Sequence, residues 1–128
     1  MRSLILAFTL IFSLSGLVRS QETTEKINKA ITEGNASSLS VHFNSSLDIS
    51  LPDIDQTMSS AHATQVMKNF FKENPPKSYK VNHVGSSREA TKYIIGTYKS
   101  ENKSFKVYAL LKLNDNKYLI VQLQFEEE

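Results

Sequence analysis

The stretch from Ser104 to Phe125, SFKVYALLKLNDNKYLIVQLQF, alternates largely apolar and polar residues on both sides of a polar centre. This period of two is typical of two antiparallel strands joined by a tight turn. A three-residue loop over Asn114–Asn116 sets odd-numbered residues opposite one another, whereas a two-residue loop would set Ala109 against Gln122 and bury a polar amide. The predicted pairs are Leu113 with Lys117, Leu111 with Leu119, Ala109 with Val121, Val107 with Leu123 and Phe105 with Phe125.

The even-numbered side of this hairpin is also rich in large apolar residues. A sheet face that meets solvent should be polar at alternate positions, and this one is not. We therefore expect the even-numbered side to be a contact surface, through which the protein forms a homodimer. The alternative is that another segment of the same chain covers it. The interface candidates are Tyr108, Leu110, Tyr118 and Ile120.

For the chain before the hairpin, the sequence predicts a helix, a short helix, a strand, a third helix and then two further strands. Gly34 and Asn35 end the first helix, for which Thr23 or Thr24 is the predicted N-cap, and Pro75 and Pro76 end the last helix. Helices followed by an antiparallel run indicate an α+β fold, a curved antiparallel sheet wrapped on the N-terminal helices. The predicted later elements are a helix at 36–42, a strand at 47–51, a helix from Ser59 or Ser60, and strands at 78–86, 92–99, 104–113 and 117–125.

Length and charge limit the classes of function. The 128 residues allow a single domain and exclude a two-domain enzyme. Two of the 15 basic residues, Arg2 and Arg19, lie in an N-terminal segment that we expect to be removed, which leaves 13 basic and 13 acidic residues. A neutral domain lacks the positive surface that nucleic-acid binding requires. No nucleic-acid partner is therefore expected.

Residues 1–20 have the organisation of a secretory signal peptide. A positive start at Arg2 precedes a mainly apolar run from Leu4 to Leu14, and small or modest residues surround Ser20. The run is shorter than the about 20 residues that span a membrane, although a retained anchor helix is the alternative. We predict cleavage after Ser20 and export of the protein to the periplasm or the medium. Residues 21–128 should then form a single domain with no membrane span. Because the chain has no cysteine, no disulfide is expected.

The sequence resembles a family of exported Bacteroidetes proteins catalogued as a domain of unknown function. The resemblance covers residues 24–125, and its most specific parts are Asn74-Pro75-Pro76 and Gly85-Ser86-Ser87. That family is similar in architecture to the nuclear-transport-factor-2-like, or cystatin-like, cone, a curved sheet wrapped around helices. The resemblance implies this fold and an exported location, and it implies no reaction. Further matching residues are Ile27, Ala30, Ile31, Leu39, Phe43, Phe70, Phe71, His83, Tyr93, Gly96, Val107, Tyr108, Leu119 and Leu123.

The three histidines are the side chains that titrate near neutrality. His42, His62 and His83 are spaced 20 and 21 residues apart, which matches no metal-site pattern, and we expect neither a metal nor a cofactor. Strand parity directs Tyr79, Val81 and His83 into the cone, so His83 is predicted to be buried. With a tyrosine partner, Tyr79, Tyr93 or Tyr98, it is the candidate acid–base residue.

Three functions are compatible with these patterns. The first is a non-enzymatic exported binding module for a small apolar ligand or a protein partner, acting through the cone mouth or the outer sheet face. The second is an enzyme similar to the isomerases and dehydratases built on this cone, with His83 as its base. The third is a cystatin-like protease inhibitor, for which His83-Val84-Gly85 is too short a wedge. The predicted ligand-pocket residues are Tyr79, Val81, His83, Phe105 and Val107.

Overall fold

The computed structural model describes residues 21–88 and 90–128, and the predicted signal peptide lies outside them. Helix α1 covers residues 21–33, and no helix of the described residues is long and apolar enough to cross a membrane. The other elements are α2 Ala36–Ser40, β1 Phe43–Leu51, β2 Ile54–Ser59, α3 Ser60–Glu73, β3 Ser78–Arg88, β4 Thr91–Lys99, β5 Ser104–Asn114 and β6 Lys117–Glu127.

The six strands form one curved, open sheet in the order β2-β1-β6-β5-β4-β3. All neighbouring strands are antiparallel except β1 and β6, which run parallel, with Ile49 beside Leu123. The sheet is therefore mixed rather than wholly antiparallel as predicted. The β1–β2 hairpin and α3 carry the chain from β1 to the far edge, where β3 starts the antiparallel run. The α+β class, with a curved sheet on helices, is confirmed.

Helix α3 covers the inner face of the sheet and supplies the centre of the core. The Ser59 side chain accepts a hydrogen bond from the His62 backbone N–H at the helix start, as its N-cap role predicts. Near the other end, Phe70 packs against the rings of Phe105 and Phe125, with centroid distances of 5.2 and 4.8 Å. The hydrophobic pattern predicts ten core residues, of which Val66 and Val121 are partly buried and eight are buried: Ile27, Ile31, Leu39, Phe43, Phe70, Val107, Leu111 and Leu123.

The β5–β6 turn differs from the prediction. Asp115 and Asn116 both have positive φ, 48° and 65°, and Asn114 pairs with Lys117. These values are typical of a two-residue type I′ hairpin turn. The predicted three-residue loop, and the register derived from it, are therefore wrong.

A β-bulge in β6 interrupts the regular alternation of inward and outward side chains. Leu111 pairs with Ile120 but Leu110 pairs with Gln122, so Val121 is an extra residue in β6. The bulge directs Leu123 inward while also allowing Ile120 to face the core. Ile120 is 0% exposed and Tyr118 packs against the core, so placing these two interface candidates on the outer face was wrong.

The starts of α1 and β1 differ from expectation, and one strand was not predicted. Helix α1 already includes residue 21, which places Thr23 and Thr24 within the helix rather than at its N-cap. Strand β1 begins at Phe43, and the polar edge strand β2, IDQTMS, was not predicted. Its sequence contains Asp55, a residue type that is less common in strands.

Candidate functional site

His83 lies on the outer face of the sheet, because a bulge interrupts β3. Val81 pairs with Gly96, but His83 pairs with Ile95, which leaves Asn82 as the extra residue. Residues that follow Asn82 in β3 therefore face the opposite side of the sheet from the side that regular alternation predicts. His83 is exposed, so the prediction of a buried histidine inside the cone is wrong.

The neighbour of His83 is Tyr93, one of its three predicted partners. The Tyr93 hydroxyl oxygen is 3.1 Å from His83 Nε2, and the ring centroids are 5.4 Å apart. Gly85 makes this arrangement possible, since a Cβ there would lie 2.6 Å from the Tyr93 ring. The pair lies open to solvent, without the exclusion of water that a closed active site provides.

The predicted ligand-pocket residues do not line one cavity. Phe105 and Val107 are 1% and 0% exposed and belong to the packed core. Tyr79 and Val81 are partly buried against that core, whereas His83 is on the opposite face of the sheet. Aromatic side chains fill the part of the cone in which an internal ligand site was expected.

Two tyrosines inside the cone are structural. Tyr98 donates a hydrogen bond of 2.5 Å to the backbone oxygen of Asn74, which ties β4 to the end of α3. Tyr79 lies over Gly96, where a Cβ would be 2.6 Å from its ring. Burial raises the pKa of both phenols well above its usual value, so both stay protonated at neutral pH.

Substitution of the buried Tyr98 should destabilise the protein more than substitution of the exposed His83. Tyr98→Phe should lower the free energy of unfolding by about 1–2 kcal/mol, because the variant loses one buried hydrogen bond. His83→Gln should change it by less than about 0.5 kcal/mol, because His83 is exposed. Urea unfolding of both variants checks this, and a larger loss for His83→Gln than for Tyr98→Phe would contradict the assignment.

The outer face carries a compact group of large side chains, which we call the outer patch: Tyr93, Ile95, Tyr108 and Leu110. Tyr93 is directly opposite Leu110, and Ile95 is directly opposite Tyr108. Directly opposite side chains are about 5 Å apart at Cβ, and all four residues are half-buried.

Polar residues surround the outer patch on the same face. In β6, Gln122 is opposite Leu110 and Gln124 is opposite Tyr108. Beyond them, β1 contributes Asp48 and Ser50. The exposed Lys106 and Lys112 flank the patch along β5. An apolar centre with a polar rim is the usual composition of a protein contact surface.

The outer patch agrees in part with the sequence prediction. Tyr108 and Leu110 lie on the outer face as expected, while Tyr93 and Ile95 were not among the interface candidates. Their orientation follows from the buried Ile94 and Tyr98, which occupy the alternate positions of β4. A strand assignment with those two residues inward would have found them.

Comparison with solved structures gives close matches in fold. A DUF4783 family protein from Bacteroides uniformis is 26% identical, with a TM-score of 0.77, over 81% of this chain and 95% of that one. One from Bacteroides ovatus is 27% identical, with a TM-score of 0.77, over 80% and 93% of the two chains.

More distant structures share the architecture alone. An NTF-2 like protein of unknown function from Silicibacter pomeroyi is 13% identical, with a TM-score of 0.64, over 91% of this chain and 98% of that one. The fold is thus the nuclear-transport-factor-2-like cone. Comparison with curated proteins gives no match. The family model described as "Domain of unknown function (DUF4783)" matches residues 24–126, and the chain belongs to this family.

Proposed function

We propose that this protein is a non-enzymatic exported binding domain whose partner at the outer patch is a second copy of the same chain. The observation that carries the proposal is the pairing of Tyr93 with Leu110 and of Ile95 with Tyr108 on the face opposite the core. Core residues of the helices, such as Ile31 and Phe70, pack on the other face of the sheet. The patch therefore has apolar surface available for a partner.

The composition of the patch favours a protein over a small molecule. It belongs to two adjacent strands and contains two tyrosines, a residue type enriched in protein interfaces. A self-complementary surface needs no other molecule, and two-fold pairing is the commonest closed assembly of soluble proteins. A homodimer is therefore the simplest partner.

The interior of the cone supports a binding role over an enzymatic one. The described core contains Phe70, Tyr98, Phe105 and Phe125 in mutual contact, and the candidate base His83 is on the outside. The segment His83-Val84-Gly85 lies within β3, which is unlike the projecting loop that an inhibitor would insert into a protease. These observations favour neither the isomerase-like nor the cystatin-like alternative.

The second prediction concerns mass in solution. Residues 21–128 at about 100 µM should sediment with twice the mass of one chain, and dilution should shift the equilibrium toward the monomer. Sedimentation velocity at several concentrations measures this. A single-chain mass at every concentration would overturn self-association, and a larger open assembly would contradict two-fold pairing.

The third prediction concerns export. Full-length protein expressed in a Bacteroides host should appear outside the cytoplasm with Gln21 as its first residue, as free or cyclised glutamine, because residues 1–20 resemble a signal peptide. Intact-mass spectrometry of the fractionated cells checks it. A full-length, membrane-bound species would contradict processing and would support the anchor-helix alternative.

A further inference from the structure

A row of side chains crosses four neighbouring strands beside the outer patch. We call it the charged row: Glu126, Lys106, Thr97 and Lys80. Glu126 of β6 is directly opposite Lys106 of β5. Lys106 is opposite Thr97 of β4, which in turn is opposite Lys80 of β3. The row therefore has an acidic residue at one end and a basic residue at the other.

Both ends of the charged row lie on the outer face of the sheet. Phe125, next to Glu126, is buried, and Val81, next to Lys80, packs against the core. Successive side chains of a strand point to opposite faces, so both charged side chains point away from the core. Both residues are exposed.

Neither end of the row has an ionic partner in its own chain. Within residues 21–88 and 90–128, a single ion pair of 4.0 Å or less joins Lys103 to Glu127. Glu126 is opposite Lys106 but forms no such pair with it. The charges at both ends of the row are therefore free to pair with a second molecule.

The two rows next to the charged row contain the outer patch. In each of them the patch residues occupy the two central strands, β5 and β4, with β6 and β3 on either side. The rows are Gln124-Tyr108-Ile95-His83 and Gln122-Leu110-Tyr93-Gly85. A contact centred on the patch is therefore centred between β5 and β4, which is also the centre of the charged row.

Two copies that meet through the same face are related by a two-fold axis that lies within the interface. Aligned packing of two sheets leaves two directions for this axis, along the strands or across them. An axis along the strands reverses each row, so that β5 meets β4 and β6 meets β3 of the partner subunit. An axis across the strands sets each strand against its own copy and exchanges the rows on either side of the patch centre.

An axis across the strands is unfavourable because it brings like charges together. Lys106 lies two residues before Tyr108 along β5, and Lys112 lies two residues after Leu110. The two lysines are therefore equally far from the patch centre, and Lys106 of each copy would meet Lys112 of the partner subunit. Juxtaposed like charges are costly in an interface, and this contact would occur twice.

An axis along the strands joins opposite charges instead. Reversal of the charged row sets Lys80 of each copy against Glu126 of the partner subunit, and sets Lys106 against the uncharged Thr97. The lysine side chain is long and flexible, so it can reach its partner at the rim between two curved sheets. Two ion pairs of opposite charge result from one contact.

Other charged residues of the outer face are compatible with this direction. Lys112 and Lys99 would meet hydroxyl residues of the partner subunit, Thr91 and Ser104, which are their cross-strand neighbours. The acidic residues of β1 and β2 lie outside the four strands that overlap: Asp48 and Asp55.

We propose that the two copies pair with the two-fold axis along the strands, so that Lys80 of each copy forms an ion pair with Glu126 of the partner subunit. The proposal rests on the homodimer proposed above and adds its orientation and the residues that select it. The apolar patch supplies most of the affinity, whereas the charged row determines how the two copies are oriented.

Reversal of either charge tests this orientation in residues 21–128. Lys80→Glu and Glu126→Lys should each weaken the homodimer about tenfold, because each sets like charges together at two contacts. An equal mixture of the two variants should form a heterodimer as stable as the unmodified homodimer, since both of its contacts join opposite charges again. Native mass spectrometry with one variant labelled with nitrogen-15 separates the heterodimer from both homodimers.

Lys68→Glu is the matched control, because Lys68 is exposed on α3, on the other side of the sheet. It should leave the dimer unchanged. Sedimentation measures each dissociation constant, and circular dichroism checks that each variant is folded. Should a charge reversal unfold the protein, Lys80→Gln and Glu126→Gln remove the same charges and should each weaken the dimer about threefold.

Three outcomes would overturn the proposed orientation. A homodimer that folded variants at both positions leave unweakened would do so, as would a heterodimer no more stable than the homodimers of the two variants. Either result would leave the homodimer itself in place. A single-chain mass for the unmodified protein at every concentration would overturn both the orientation and the homodimer.

Discussion

Replacing Phe70 with alanine is expected to lower the free energy of unfolding by about 3–5 kcal/mol, the usual cost of removing a buried aromatic side chain. Phe70 is 6% exposed and contacts four other aromatic rings. Those rings come from one helix and three strands, so the surroundings cannot close around the cavity without moving the sheet. A domain of this size has a total stability of about 5–15 kcal/mol, so the variant should be close to unfolding.

Urea unfolding followed by circular dichroism measures the loss, with Val41→Ala as the matched control. Val41 is 73% exposed, so its truncation should cost less than about 0.5 kcal/mol. A loss below about 1 kcal/mol for Phe70→Ala would mean that α3 does not pack against β5 and β6 as described.

Leu110→Lys is expected to dissociate the homodimer. In a two-fold interface the substitution occurs twice, and each copy places a charged group in an apolar contact. At about 2 kcal/mol for each copy, the cost is about 4 kcal/mol, which is about a thousandfold in the dissociation constant. Sedimentation at the concentrations that give a dimer for the unmodified protein should then show a single-chain mass.

Ser50→Lys is the control for added charge, because Ser50 lies on the same face outside the patch, beside Gln124. It should leave the dimer intact. Should Leu110→Lys unfold, Tyr108→Ser provides a milder change at the same patch, with its circular dichroism spectrum as the check on folding. A folded Leu110→Lys or Tyr108→Ser variant that remains fully dimeric would contradict the assignment of this face.

The ends of the helices are predictable because single residues near each end determine them. Ser59 caps α3 through a single hydrogen bond, and Pro75 and Pro76 follow the helix end at a position where no other residue type is as restrictive. Gly34, at φ 63°, ends α1 in a conformation that favours glycine. Signals of this kind depend on residue type at one position, and the sequence shows them directly.

The two bulges could not be found in that way. A bulge at Asn82 turns His83 outward, and one at Val121 allows Ile120 to face the core. Each reverses the parity of a strand without any change in composition, because the benefit lies in the packing of distant residues. The predictions of an interior His83 and an outward Ile120 were wrong because both assumed regular alternation along the strand.

Local sequence patterns also do not indicate the parallel pairing of β1 with β6. Its pairing joins strands separated by about 70 residues of chain, and it depends on how α3 and the β1–β2 hairpin return to the sheet. The outer patch, in contrast, was half visible in the sequence. Tyr108 and Leu110 lie in β5, which has no bulge residue of its own and therefore keeps the alternation from Phe105 to Leu111.

Two copies of this chain are proposed to meet through the outer patch. Its most direct test is an isotope-filtered NOE experiment on a mixture of carbon-13-labelled and unlabelled residues 21–128. We expect intermolecular NOEs involving Tyr93, Ile95, Tyr108 and Leu110, and none involving Val41 or Leu113. Intermolecular NOEs that come instead from Val41 or the sheet edges would contradict this interface. So would the absence of intermolecular NOEs at concentrations where the protein is a dimer by mass.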